Sequence, residues 1–553
     1  MKKLSYFLLV VCGLAAVSCE KKQEAPEYLP VLADKDGRWG LVSPSGEMLF
    51  SEEFKNEPTK VYNGRFFVEN SEGLYELYTA EAQPKKVGAE YKEVGVFFED
   101  VAPVVEKGKP IDFIDKDGNV KFTLKDVDGV PVENVRNFYD GVAIFQTEKG
   151  YGLVNTQGEV LLKNYAELDN PGDGKVWAME RKYAGMDEDS AKICLLTYKG
   201  EKLFEVSAGK YKWVSPFNKG YSAVKTETAD EEIRAGIIDE KGEWVVRPTG
   251  KYHSIGQFWD KKFIYSDGES YGLTSFDGEV LLRPKYDLLM VADEKTLITG
   301  SQKDNEMFFI DLEGNRIGNA SYEGILPILG TQYAWGIEGK HSYILIDLKG
   351  EPVNKQQSFY DIVNPYNGHG NYIIESDYTD LAALLESTGL NADGMKELNF
   401  NSDKEALLRF LDIEPYQYRQ HFGEVELKNK FNNQKVNYYM TVGLSKPLIG
   451  RKSKGWWFYD YFAEDTSVAY FEVCFKNRSR LEGQMEALYE AAKQQAENLG
   501  GKETEKTEQH TCYSLGHNKL LVLQSEAEVV LVLEKGDGKH IRDFLDNYSP
   551  EDL

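Results

Sequence analysis

The chain is poor in the residues that most protein chemistry requires. Its 553 residues hold 5 cysteines and 7 histidines, which excludes a disulfide-stapled scaffold and leaves little for metal binding. Cys12 and Cys19 lie at the extreme N-terminus, so Cys194, Cys474 and Cys512 remain, an odd number. Positive charge is short as well: 65 Lys and Arg stand against 91 Asp and Glu, a formal net charge of −26. Phosphate backbones demand a basic footprint, so this balance excludes nucleic acid as a partner and argues against electrostatic docking on anionic lipid. HExxH, GxSxG, P-loop and paired CxxC motifs are all missing, so no catalytic residue is nominated. Neither a metal nor a cofactor is expected. Asp34-Lys35-Asp36-Gly37 and Asp115-Lys116-Asp117-Gly118 open like calcium loops but lack the later oxygen ligands of that frame. They read as hairpin turns.

Long apolar runs are missing too, with one exception. Lys2 and Lys3 precede Leu4–Val17, which is apolar apart from Ser5. The run is too short to span a hydrocarbon core of roughly 30 Å and reads as the h-region of a signal peptide over residues 1–18. Ala16-Val17-Ser18-Cys19 resembles the bacterial lipobox, which implies a lipid on Cys19 and a short tether over 19–27. The expectation is a bacterial membrane lipoprotein, most simply of the outer membrane, held to the bilayer by its lipid alone. Whether it faces the periplasm or the exterior stays open.

What the chain has in abundance is glycine, tyrosine and repetition. WGLVSPSGEMLF (39–50), YGLVNTQGEVLL (151–162), AGIIDEKGEWVV (235–246) and YGLTSFDGEVLL (271–282) are copies of one unit. Gly46, Gly118, Gly158, Gly200, Gly242, Gly278, Gly314 and Gly350 mark the period, at spacings of 36 to 42 apart from one double gap that hides a degenerate copy near Gly73–Thr79. About nine units result over residues 28–365. Each unit alternates apolar and polar residues on either side of a glycine turn, the grammar of a three- to four-stranded antiparallel meander. Glycine after the aromatic at Gly40, Gly152 and Gly272 implies close packing by a neighbour.

These residues resemble the WG-repeat family, named for the pair found at Trp39-Gly40 and varied at Tyr151-Gly152 and Tyr271-Gly272. The resemblance covers roughly 60% of the chain. It implies an all-β repeat architecture in exported or surface proteins and no shared activity. A mainly β fold is therefore expected, as a β-propeller with an open β-solenoid as the alternative.

After residue 365 the composition shifts. A helical segment over 366–422, with helices at 377–388 and 402–412, precedes an α+β domain over 423–553. That domain should hold a sheet of about five strands crossed by one main helix, started at Ser479 and ended by Gly500-Gly501. Cys474 and Cys512 both fall in expected strands and form the one disulfide pair to check. His510, Cys512 and His517 are close in sequence, but their spacing is no known closed zinc site. Trp456, Trp457 and Tyr459 belong to the densest aromatic stretch, which either packs inside or stacks on a ligand. Asp189-Ser190-Ala191 resembles a short bacterial O-glycosylation sequon.

A large repeat surface without a catalytic motif points to a non-catalytic envelope protein that binds a protein or a glycan. Two alternatives remain: a glycan hydrolase with paired carboxylates in the propeller funnel, or a functional C-terminal domain with the repeats as spacer.

Overall fold

The computed structural model describes residues 25–180, 192–229, 231–301, 305–353, 358–364, 373–396, 398–402, 406, 420–421, 424–427, 438–445, 449–453, 456–461, 467–477, 481 and 483–548. They divide into two compact units, 1–106 with 110–376, and 107–109 with 377–553.

Local structure in the first unit is set by one turn. The Asp311 carboxylate accepts the amides of Glu313 at 3.0 Å and Asn315 at 2.7 Å. Gly314 N–H, at φ 86°, closes the turn on Asp311 O. Such a side chain mimics backbone and fixes the loop locally, while glycine supplies the positive φ cheaply. Ser43, Asp115, Asn155, Thr197, Asp239, Ser275 and Asp347 open the same turn in other units. The repeat signature therefore has a first position, Ser, Thr, Asn or Asp, three residues before the glycine.

The glycine that follows the aromatic has a different cause. A Cβ on Gly152 would lie 2.2 Å from Phe145 Cζ and 2.4 Å from Leu162 O; on Gly40 it would lie 2.5 Å from Phe50 O. The outer strand bulges there, as its register shifts between Tyr151 and Leu153 and between Trp39 and Leu41. Its carbonyl comes down onto the glycine, and no side chain fits beneath it.

Among the described residues these units build nine antiparallel sheets in chain order: 29–54, 65–91, 93–124, 126–165, 167–207, 211–246, 254–286, 288–322 and 324–359. Most are four-stranded meanders. The second has three strands, with Pro58 bridged to Val68 where the others carry an inner strand. It is the degenerate unit: Tyr75–Thr79 is its middle strand, and Gly73 belongs to the turn before it. In the eighth sheet the first strand is buried and the last exposed, Leu288–Val291 against Arg316–Tyr322, and the ninth sheet also opens on a buried strand. The sheets are thus radial, with first strands towards the axis.

Nine hydrophobic clusters fill the nine seams. Trp39, Leu41 and Phe54 meet Val61, Phe66 and Val68 between the first and second sheets, and each later sheet packs likewise on the next. The ninth seam decides between ring and solenoid. Leu326, Trp335, Leu345 and Phe359 of the last sheet pack on Leu29, Val31 and Val42 of the first. Asp361–Ile362 then pairs with Leu32 and Val31, giving the first sheet its inner strand from the far end of the repeats. The unit is a closed β-propeller of nine sheets, and the open solenoid is excluded.

The first unit runs to Ser376 instead of ending at 365 because Ile373–Glu375 joins it, pairing with the inner strand Val130–Arg136 of the fourth sheet.

The second unit is α+β. Its main sheet has eight strands where about five were expected, in the order 420–421, 424–427, 438–444, 468–476, 528–535, 518–524, 510–515, 502–506. The added edge strand Lys502–Lys506 is exposed throughout and carries four charges in five residues, so it shows no apolar alternation, only the guarding charge of an edge. Helices Leu381–Ser387 and Met485–Asn498 cover one face, and Lys539–Asn547 packs on the other. The main helix buries Met485, Leu488, Tyr489, Ala492 and Ala496. It begins at Met485, with Gln484 at the N-cap position; Ser479, expected as its start, lies outside the described residues. Most of the helix expected at 402–412 lies outside them as well.

Candidate functional site

In an antiparallel meander the first-to-second and third-to-fourth turns emerge at the same end. One end of the ring therefore collects the turns between inner strands together with the Asx-type turns described above. The inner turns are tied to one another around the mouth. Asn63 Nδ2 donates to Phe97 O at 3.1 Å, joining the second sheet to the third. Glu99 accepts Gly141 N–H at 2.7 and 2.9 Å. Asp140 accepts Gly174 N–H at 2.7 Å, and Asp173 accepts Gly220 N–H at 2.8 Å. Across the seventh seam Trp259 Nε1 donates to Glu294 O at 3.1 Å. From the second sheet to the sixth, each turn thus holds its neighbour, mostly by a carboxylate on a backbone amide, the stronger class of hydrogen bond.

Asp140 is the most embedded of these carboxylates, 9% exposed. It also accepts the Tyr198 hydroxyl at 2.7 Å. Burial, and then the charges around it, hold the Tyr198 phenol above its ordinary range, so it remains a donor. Replacing Asp140 by alanine removes both charge-assisted bonds and leaves the exposed Gly174 N–H to water. The expected cost is about 1.5–3 kcal/mol in chemical denaturation.

The rim outside this stitching is charged and exposed. Asp100, Glu294, Asp260, Lys219, Lys261 and Lys295 all face solvent. Lys175 lies between Glu240 at 2.8 Å and Asp173 at 3.7 Å. Val120, Val160 and Val280, each two residues past a turn glycine, are 52%, 39% and 43% exposed.

The inner wall is partly taken by the chain itself. Ile373–Glu375 occupies the inner edge of the fourth sheet, and its Glu375 N–H binds the Glu93 carboxylate at 2.8 Å. On the inner side of the first two sheets, burial first and then the charge of Asp361 push the Glu57 carboxyl up.

The remaining residues singled out from sequence fall elsewhere. Cys19 and Asp189-Ser190-Ala191 lie outside the described residues. Trp39, Gly40, Gly46, Tyr151, Gly152, Gly158, Gly242, Tyr271, Gly272 and Gly278 are structural, placed in strands and turns of the ring. Trp456, Trp457 and Tyr459 stand on a strand paired with Ile449–Ser453, and their side chains lie outside the description.

The disulfide expectation is corrected. Cys474, Cys512 and Cys194 are free thiols. The strands bearing Cys474 and Cys512 are separated by two others, about 14 Å at ~4.8 Å per strand step, whereas a disulfide spans at most ~7 Å between Cα atoms. Cys474 Sγ instead donates to Glu528 Oε2 at 2.9 Å, and burial together with that carboxylate hold its thiol protonated. His517 stands in the turn after Leu515, away from His510 and Cys512. Those two share a strand face, and sequence reasoning missed their neighbour Glu505, because it sits on the charged edge strand.

No family model matches the sequence, and no curated protein matches it. Solved structures do. A eukaryotic initiation factor is 12% identical, covering 61% of this chain and 98% of its own, with a TM-score of 0.39. Apo AztD from Citrobacter koseri is 12% identical over 63% of this chain and 98% of its own, at 0.27. The C-terminal WD40 domain of Sif2 is 13% identical over 49% and 89%, at 0.30. At such scores the likeness bears on nothing further; the propeller is established by its own closure. Among the described residues no helix is long and apolar enough to cross a membrane.

Proposed function

We propose that this protein is a non-catalytic interaction scaffold of the bacterial cell envelope, tethered by lipid on Cys19, that presents the turn end of its propeller to a protein partner. The observation that carries the reading is the stitched mouth, where Glu99, Asp140 and Asp173 hold successive turns in fixed relation. A surface already ordered loses little conformational freedom on binding, so more of the contact energy appears as affinity. The exposed carboxylates around it select a partner with a basic or mixed face.

Chemical crosslinking on intact cells, followed by mass spectrometry, tests this. Crosslinks to one stoichiometric protein are expected at Lys219, Lys261 and Lys295. Crosslinks confined to residues 377–553 would transfer the function to the second unit, with the repeats as spacer.

A further inference from the structure

Three metal-ligating side chains converge in the second unit, outside the surface described above. Strand pairing sets Glu505 directly opposite Cys512. His510 lies two residues before Cys512 on the same strand, so both side chains project from one face. The ligand atoms of Glu505, His510 and Cys512 all lie within 4.8 Å of one another, and His510 Nε2 is 3.3 Å from Glu505 Oε1. Around a tetrahedral zinc ion, bonds of about 2.0–2.3 Å place ligand atoms roughly 3.3–3.8 Å apart. The cluster needs an inward movement of about 1 Å, which the Glu505 side chain, 60% exposed, is free to make.

The surroundings fit a cation. Thr507 Oγ1 lies 3.1 Å from His510 Nδ1 and accepts the amides of Gln509 and His510 at 3.2 and 3.0 Å. The hydroxyl thereby fixes the ring and turns Nε2 towards Glu505, the orienting role that a partner on the far nitrogen plays in metal sites. Nε2 facing a carboxylate oxygen is satisfied by a proton or, equally, by a shared cation. Cys512 is 8% exposed and backed by Leu521, Leu523, Val530 and Val532, an apolar floor that keeps water from the sulfur. One sulfur, one imidazole and one carboxylate form a donor set for zinc rather than for calcium or magnesium.

We propose that Glu505, His510 and Cys512 form a three-ligand site for a zinc-class divalent cation, with its fourth position open to solvent on the Glu505 side. Such a site would clip the charged edge strand to the sheet and leave one position for an exchangeable ligand.

The test uses the full chain, stripped with a chelator and titrated with Co2+. A thiolate-to-cobalt charge-transfer band, saturating at one ion per chain and displaced by Zn2+, is expected. Cys512→Ser should abolish it and Cys474→Ser should leave it intact. Glu505→Gln, an exposed and near-isosteric change that leaves the fold in place, should weaken Co2+ and Zn2+ by at least about tenfold, the loss typical even of residues that only orient a ligand. Zn2+ should raise the thermal midpoint of the parent chain more than that of Glu505→Gln. The absence of a band, its loss in Cys474→Ser instead of Cys512→Ser, or unchanged affinity in Glu505→Gln would each overturn the proposal.

Discussion

Truncating Trp335 to alanine should destabilise the propeller by about 3–5 kcal/mol, the usual result of deleting a large buried ring. More telling is where the damage should appear. Trp335 is 1% exposed and meets Phe359 edge-on, with ring centroids 5.8 Å apart. Both rings belong to the seam that joins the last sheet to the first. Hydrogen exchange should therefore accelerate at Val31 and Leu32, and at their partners Ile362 and Asp361, far away in sequence from the substitution. Phe263→Ala in the seventh sheet is the control. Phe263 is fully buried between the sixth and seventh sheets, so it should cost a similar amount while amides of the first sheet keep their protection in the native state. Equal protection of Val31 in both variants would mean that the ninth seam contributes nothing to closure.

The second large effect concerns two glycines whose substitution should act with opposite sign. Gly152→Ala should cost about 1–3 kcal/mol or more, because the new methyl lands on Phe145 Cζ at 2.2 Å and Leu162 O at 2.4 Å, and one of these is backbone. Gly209 lies in the turn between the fifth and sixth sheets, has no atom within 4 Å of a built Cβ and does not require a positive φ. Gly209→Ala should stabilise by about 0.4–1 kcal/mol, through the entropy of the unfolded chain alone. Urea midpoints of the two variants and the parent would show this. A neutral Gly152→Ala would mean that the outer-strand bulge shifts freely, and the aromatic-glycine pair would lose its physical explanation.

Much of the propeller was legible in the residues. Turn glycines at a regular spacing counted nine units, and the close approach at Gly40 and Gly152 could be inferred from an aromatic followed by glycine in a strand. The turn's first position was harder to see because Ser43, Asn155, Thr197 and Asp311 do one job with four different side chains: each needs only an oxygen that accepts the amide four residues on. Closure was invisible, since a two-residue strand at Asp361–Ile362 has no periodicity and its partner lies at the other end of the repeats. The stitched mouth was hidden for a similar reason. Asp140 and Asp173 look like ordinary turn residues until the neighbouring sheet's amide is placed against them. Lys502–Lys506 was missed because an edge strand advertises charge instead of alternation. The disulfide idea failed on strand order, which is a property of the whole sheet and not of either cysteine.

The way the first sheet is completed has a consequence for how the protein reaches its folded state. Leu29–Leu32 is among the earliest described segments, yet its inner neighbour is Asp361–Ile362, among the last strands of the ring. A chain delivered from its N-terminus cannot finish its first sheet until the ninth has arrived. Until then Leu29–Leu32 carries an open edge, ready to pair with any passing strand. Native pairing across so long a loop is slow, and the intervening sheets have to be in place before it lowers the free energy. The last step of folding is thus also the step that makes the ring a single cooperative body, and a chain stopped before Asp361 should assemble into oligomers through that edge instead of remaining a slightly weaker monomer.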